Sequence, residues 1–475
     1  MSTTSPVASG SPRRSAPVTV PATLEAEAEA EADESSEVGF SGSSPRVPRT
    51  FEALGNLEYR KFFIGHGISL VGTWLQGAAV AWIVFETTRD ERMLGLVEAA
   101  NLMPGVVVGL LAGMVADQVT PRRMVLAMQF GQFVVASTLA ALALIGWLPV
   151  PLMLAALVVA RVCVTFEMPS RQVLIYDVVG RGHLMNAIAL NTGLFNASRV
   201  VGPSLAGVVL ATLGAPACFV LNAVSFTAAM TAVGLMRVRP KPPNARAGDN
   251  ATASKGWKGA LAGFAHLGRD RLVGGLFLML SGFGVLGMGY SAMIPSYAQV
   301  VLGVREIGYS LLLASSGVGA TLGALIVASL GPGRDRLQVI ALGLVLFAVG
   351  LAAAAVVPPL VAGGASGSRL ALATAMACLS VVGCGAIMVY STTQTVIQAA
   401  VPDAIRGRIM GVWMIMFSAS VPSGALVSGV LASWLGTPQA MLAGSIGVAL
   451  LALVVGFAFN LISWRANPPI AGDTF

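Results

Sequence analysis

Long apolar runs separated by short polar breaks dominate the chain. Twelve such runs are read, over about 62–86, 94–116, 122–147, 150–168, 183–213, 215–236, 272–301, 307–330, 337–357, 370–398, 405–434 and 438–462. A helix of about 20 apolar residues crosses the hydrocarbon core of a bilayer, so each run predicts a transmembrane helix. Several runs exceed that length, which predicts tilt or extension past the interface. The pattern therefore predicts an all-α, multi-pass membrane protein. Residues 1–50 differ in kind: they are rich in Ser, Pro, Ala and Glu, with an acidic stretch from Leu24 to Glu34. A disordered cytoplasmic tail is expected there, and it lacks the apolar core of a secretory leader.

Basic residues orient the runs. Arg89, Arg92, Arg305 and Arg369 fall on one side, whereas 21 of the 29 lysines and arginines fall on the other. The positive-inside rule makes that richer side cytoplasmic, with both termini on it, in a bacterial plasma membrane. Its longest segment, 237–271, is polar and basic and carries Pro240, Pro242 and Pro243. It reads as a linker between two six-run halves, 51–236 and 272–465, followed by a cytoplasmic tail at 466–475.

Composition agrees with this layout. The 475 residues are 55% hydrophobic, only 11% charged, and include 55 glycines. Soluble domains carry roughly 25% charged residues, whereas small residues let membrane helices pack closely. The net charge of +7 is dispersed over short loops, so no nucleic-acid surface is expected. Cys163, Cys218, Cys378 and Cys384 all lie within apolar runs and read as packing residues. No metal-ligand spacing, phosphate loop or nucleophile-plus-base set is present, so neither a cofactor nor enzymatic chemistry is expected.

The two halves repeat each other. Ala197-Ser198-Arg199-Val200-Val201-Gly202-Pro203-Ser204-Leu205-Ala206-Gly207-Val208 recurs as Ala419-Ser420-Val421-Pro422-Ser423-Gly424-Ala425-Leu426-Val427-Ser428-Gly429-Val430. Both copies run on to Leu-Gly, at Leu213-Gly214 and Leu435-Gly436. The spacing of 222 residues also relates Gln172 to Gln394 and Ile175 to Ile397. Parallel repeats of this kind build transporters that work by alternating access.

Between the second and third runs stands Gly113-Met114-Val115-Ala116-Asp117-Gln118-Val119-Thr120-Pro121-Arg122-Arg123. This Gly-x-x-x-Asp…Arg-Arg pattern resembles the loop signature of the major facilitator superfamily. It is one residue longer than usual, with Pro121 where Gly is common, and Gly331-Pro332-Gly333-Arg334-Asp335-Arg336 resembles a degenerate second copy. Four further stretches, Met168-Pro169-Ser170-Arg171-Gln172, Asn186 to Asn191, Phe195 to Pro203 and Arg406-Gly407-Arg408-Ile409-Met410-Gly411, resemble the superfamily's branch of enterobactin and small-molecule exporters. The resemblance covers nearly all of 51–465. It implies the major facilitator fold, with twelve helices in two pseudo-symmetric halves. It also implies a cytoplasmic latch from Gly113, Asp117, Arg122, Arg123, Arg406 and Arg408, holding the protein outward-open. Asp117 would lie near the start of the eleventh helix, and the arginines would meet carboxylates such as Asp177 or lipid phosphates. Gly202-Pro203-Ser204-Leu205-Ala206-Gly207 is similar to the fifth-helix signature of antiporters. It puts Gly202, Pro203 and Gly207 at a half-to-half contact, with Gly317 and Gly323 as counterparts.

Charges inside a membrane cost about 2.5–3.5 kcal/mol each on insertion scales and need a reason. Glu98, Arg161, Glu167 and Arg199 are such residues, all in the first half, and are the candidates for proton coupling. Glu98, three residues before Asn101 and close to Pro104, is the first choice for taking up and releasing a proton. Arg161 is expected to face the central cavity and pair a substrate anion or a carboxylate. Arg161 and Glu167 are too far apart along one helix to pair. Gln76, Trp82, Asn101, Asn191, Asn196, Asn222, Tyr290, Tyr297, Tyr390 and Gln394 are polar or aromatic groups in apolar runs. They are candidates for the cavity wall, and part of the set is expected to be interhelical glue. His66 is expected to be packed or interfacial.

These features predict a secondary transporter that exports a small organic molecule, a drug, siderophore or secondary metabolite, against protons. Its partners would be that substrate, protons and membrane lipids, and a monomer is expected. An importer on the same scaffold and a non-transporting membrane sensor are the alternatives.

Overall fold

A computed structural model describes residues 49–116, 118–237, 267–268, 270–330, 335–361 and 367–463. The tail at 1–48, nearly all of the 237–271 linker, Asp117 and residues 464–475 lie outside the described residues.

The elements follow from capping and from breaks that only certain residues allow. A short 3-10 turn at Arg49–Gly55, not expected from the pattern, precedes α1, Leu57–Thr88. Asn56 caps α1: its Oδ1 accepts from the backbone N–H of Glu58 and Tyr59. The Asn56 amide also donates to the Val178 carbonyl, at 2.9 Å, tying the start of α1 to a residue 122 positions on. Helix α2 covers Glu91–Ala116 and α3 covers Pro121–Leu144. Pro121 opens α3 because the first helical turn needs no N–H from it.

The backbone then runs helical from Val150 to Gly234 except at Gly180 and Gly214, both with positive φ. These breaks define α4 (Val150–Gly180), α5 (182–213) and α6 (215–234). Helix α4 thus continues past Pro169, beyond the expected end at 168. Next comes α7, Arg271–Val301, capped by Asp270. It was expected unbroken but is interrupted around Gly287–Gly289 and closes on a π-helical turn at Tyr297–Val301. The remaining helices are α8 (Glu306–Ser329), α9 (Arg336–Val361), α10 (Gly367–Ala400), α11 (Asp403–Leu435) and α12 (Thr437–Ser463). Ten stretches among the described residues are long and apolar enough to cross a membrane, with 182–234 counted as one. Large side chains such as Leu278, Leu360 and Leu453 are exposed. A bilayer would cover patches that a soluble surface rarely tolerates.

Helices α1, α2 and α3 pack against the 150–234 stretch, while α8, α9 and α10 pack together and α7 and α12 pack with α11. The main contacts between these two groups are α2 with α11 and α5 with α8. Glycines at the repeat spacing make those contacts. A Cβ at Gly95 on α2 would lie 2.8 Å from the Ala425 carbonyl oxygen of α11. One at Gly317, 222 residues on, would lie 3.1 Å from the Arg199 carbonyl oxygen of α5. Gly207 abuts Ser310 of α8, and its counterpart Gly429 would bring a Cβ to 2.7 Å from the Glu91 carbonyl oxygen. Gly214 and Gly436, again 222 apart, end α5 and α11 with φ of +78° and +91°. Local sequence, packing and backbone turn all obey the same duplication.

The two groups do not meet along their whole length. Every glycine contact just described lies toward the side with few basic loops, called here the far side. Polar contacts reinforce it there: Arg89 donates to Gln299 at 2.8 Å and Arg92 to the Ser433 hydroxyl at 2.9 Å. The Ser296 hydroxyl donates to the Glu91 carboxylate at 2.9 Å. Toward the basic side, positions on three of these four helices stand clear. Nothing lies within 4 Å of where a Cβ would sit at Gly109 of α2, Gly193 of α5 or Gly411 of α11. The assembly is therefore closed at the far side and spread toward the basic side.

Candidate functional site: a charged cluster where the two helix groups meet

Pro104 and Gly105 shape the first wall of the site. Pro104 supplies no N–H to the Ala100 carbonyl, which loosens α2 at this turn. Arg161 of α4 approaches α2 at the following residue. Its Nε donates to the Asn101 carbonyl, and a terminal nitrogen donates to the Asn101 side chain at 3.1 Å. Gly105 leaves the room: a Cβ there would stand 3.8 Å from Arg161 Cδ and 3.3 Å from the Thr165 hydroxyl. Glu98 lies one turn back along α2, half-buried, within electrostatic reach of Arg161 and of Tyr309 on α8. Tyr309 stacks on Trp82 of α1, with centroids 5.3 Å apart. Glu98, Asn101, Arg161, Trp82 and Tyr309 thus form one cluster shared by both helix groups.

A second cluster lies around Arg199 of α5. The Arg199 backbone meets α8 at Gly317, and the neighbouring Ser316 hydroxyl is 3.1 Å from the Tyr290 hydroxyl of α7. The Arg199 guanidinium is within electrostatic reach of both Tyr290 and Tyr390. Tyr390 meets Phe283 and Phe417 edge-on at 5.4 and 5.2 Å, and its hydroxyl oxygen is buried with no hydrogen-bond partner.

Glu167 belongs to neither cluster. It is 4% exposed, between α3 and α4. Its carboxylate accepts from the amides of Gln132 and Gln129, at 2.8 and 3.3 Å, and pairs with Arg171 at 3.4 Å. His66, buried and stacked on Phe62 at 5.3 Å, lies near Arg171. The expectation that Arg161 and Glu167 do not pair agrees with this arrangement.

Several cavity candidates are glue instead. Asn222 donates to Gln76 at 2.8 Å, a buried bond between α6 and α1. Tyr297 is buried and its hydroxyl donates to the Ala354 carbonyl of α9. Asn196 donates to the Thr192 carbonyl of its own helix, at 3.0 Å. Asn191 and Gln394 are half-buried, and the Asn191 side-chain oxygen has no partner.

The contact and latch residues also divide. Gly207 and Gly317 lie between the groups, as expected. Gly202 packs on Trp74 of α1, and a Cβ at Gly323 would lie 2.6 Å from the Cys384 carbonyl of α10, so both contacts stay within a group. Gly424, the repeat counterpart of Gly202, likewise packs on Gly284 of α7. Pro203 is buried nearby. Arg122 was expected to meet a carboxylate or lipid phosphate. It donates instead to the Val233 carbonyl at 3.2 Å and to the Gly234 carbonyl, at the end of α6. That is the favourable place for a cation on a helix dipole. Arg406 does the same for α10, donating to Gln398 and Val401 carbonyls at 3.0 and 3.4 Å. Arg123 is exposed, Arg408 is half-buried, and Gly113 continues α2. Asp117 lies outside the described residues.

Tyr309, Ser316, Gly95, Gly429 and the far-side polar set were absent from the expected site. The 222-residue spacing could have flagged Gly95 and Gly429, since it pairs them with Gly317 and Gly207. Nothing in the sequence marks Tyr309 above other aromatic residues.

A duplicated helical bundle with charged groups at its internal seam is the architecture of a major facilitator transporter. The profile of the family described as transmembrane secretion effector matches residues 49–474, and the chain belongs to that family. It is 28% identical to the enterobactin exporter EntS of Shigella boydii, over 86% of this chain and 94% of that protein. It is 24% identical to the multidrug efflux pump Tap of Mycolicibacterium fortuitum, over 83% and 92%. With the staphyloferrin A transporter of Staphylococcus aureus it shares 21% identity over 84% and 95%. The fold matches a solved bacterial homologue of the lysosomal transporter Spinster in an inward-facing, unoccupied conformation. That match has a TM-score of 0.66 at 13% identity, over 87% of this chain and 98% of that one. The protein is a multi-pass membrane transporter of a small molecule and not an enzyme.

Proposed function

We propose that this transporter exports a small organic molecule, a siderophore, drug or secondary metabolite, from a bacterial cell by proton-coupled alternating access. The position of Glu98 and Arg161 carries the reading. A carboxylate and a guanidinium stand within electrostatic reach of each other at the seam between two groups that close on one side and spread on the other. Glu98 takes a proton when exposed to the acidic side and releases it to the other, and Arg161 is the counter-charge that its carboxylate loses on protonation. The named relatives, exporters or transporters of enterobactin, of staphyloferrin A and of drugs, support an organic cargo and outward direction.

Twelve crossings divide as 51–236 and 272–465 around a cytoplasmic linker, with both termini and the basic loops inside the cell, in the inner membrane. The spread side then faces the cytoplasm, where cargo is collected. Monomers suffice, since the pseudo-twofold seam lies within one chain, and lipid phosphates meet the exposed arginines of the basic side. Gly113, Asp117, Arg123 and Arg408 act as the latch of the opposite, outward-open state.

Deletion of the gene tests the reading. Cells lacking it should accumulate the cargo and grow sensitive to it if it is toxic, and Glu98→Gln should restore neither efflux nor resistance. Reduced accumulation in the deletion strain would instead identify an importer. A Glu98→Gln protein that still supports full efflux would remove the proton from the mechanism.

A further inference from the structure

The Arg199 cluster has features that proton coupling does not use. Among the described residues no carboxylate is within ion-pair distance of Arg199. Glu167 is paired with Arg171, and Glu98 is within electrostatic reach of Arg161. A half-buried guanidinium without an anion carries an uncompensated desolvation cost, which a bound anion would relieve. On the other helix group, within electrostatic reach of it and beside Ser316–Gly317 of α8, which the Arg199 backbone touches, are two phenol hydroxyls. That of Tyr290 is held by Ser316 at 3.1 Å, and that of Tyr390 is buried and unpartnered. Both can donate to an oxyanion. Beside them the rings of Tyr390 and Phe417, each half-buried and 5.2 Å apart, present an aromatic wall.

We propose that Arg199, Tyr290 and Tyr390 form an anion subsite, and that the cargo is an organic anion with a planar aromatic portion lying against Tyr390 and Phe417. The assignment rests on the export reading and narrows it: cationic drugs are disfavoured cargo. Arg199 stands on one helix group and the tyrosines on the other, so a bound anion also bridges the two walls. Occupancy of the subsite thereby bears on the motion between them.

Two xanthene dyes of opposite charge, fluorescein (an anion) and pyronin Y (a cation), test it on the full-length protein. Binding is read by fluorescence polarisation in nanodiscs and flux in proteoliposomes. The wild-type protein should bind fluorescein at least about tenfold more tightly than pyronin Y. Arg199→Gln should lose about tenfold or more of fluorescein affinity, the ratio expected when a charge-assisted contact is removed. Arg199→Lys should retain part of it, which shows that the fold survives a change at this position. Tyr390→Phe should lower fluorescein affinity without raising that for pyronin Y, and Arg369→Gln, exposed in the first turn of α10, should change neither. Preference for pyronin Y, binding of neither dye, or undiminished fluorescein binding by Arg199→Gln would overturn the subsite. Failure of the export reading looks different: fluorescein would bind, yet its distribution across the vesicle membrane would not change.

Discussion

Arg161 and Asn222 illustrate why a polar residue inside a membrane helix has no single meaning. Arg161 packs beside Gly105, donates to both Asn101 oxygens and lies within electrostatic reach of Glu98. Replacing it with Met should leave Asn101 and Glu98 without their cation and reduce transport by tenfold or more. Arg161→Lys should recover little, because one ammonium cannot reproduce the fork that reaches both Asn101 oxygens; initial efflux rates in vesicles measure both. Asn222 bonds Gln76 and touches neither cluster. Asn222→Leu should cost about 0.6 kcal/mol, the average for interhelical polar contacts, and lower the unfolding temperature in detergent without altering which dye is bound. In sequence the two residues look alike, since each is one polar group in an apolar run. Only the partner, 60 residues away in one case and 146 in the other, separates them.

At the scale of elements, the far-side seam is made by small residues and yields to large ones. Gly95 and Gly429 let α2 and α11 touch backbone to backbone. A leucine at either position has no space, and the strain is relieved by parting the two groups on that side. Gly95→Leu and Gly429→Leu should therefore shift the population toward far-side opening. Spin-label distances between α2 and α11 should lengthen at the far side and shorten toward the basic side. Gly202→Leu should behave differently: it meets Trp74 within its own group, so thermal stability should fall while the distance between groups stays the same. Elements were largely legible in the sequence because the apolar period needs no partner to be read. The boundary at Gly214 came with its glycine, whereas the one at Gly180 and the cap at Asn56 were not read. The interruption in α7 and the run of α4 past Pro169 were not legible.

For the whole molecule, charge movement gives the sharpest expectation. An anion leaving on Arg199 while a proton enters through Glu98 moves charge inward twice in the same electrical sense. Each charge is worth about 2.3 kcal/mol per 100 mV. Efflux of fluorescein from vesicles should thus accelerate with an inside-negative potential set by potassium and valinomycin, even with no pH difference. An added pH step, acidic outside, should accelerate it further. A response to the pH step that is indifferent to potential would mean that compensating charge moves with the cargo.

Apolar run length, the bias of basic residues and the 222-residue repeat were sufficient by themselves to determine a duplicated helical membrane protein. Each is a property of the chain measured against water and lipid, and none requires knowing which residue touches which. The tertiary structure decided what the repeat could not: that Gly207 and Gly317 join the groups while Gly202 and Gly323 do not, that Arg122 caps α6, and that Tyr309 faces Glu98. Contact identity depends on the rotation and tilt of each helix. Many distant side chains set those together, through packing forces that act only at van der Waals range.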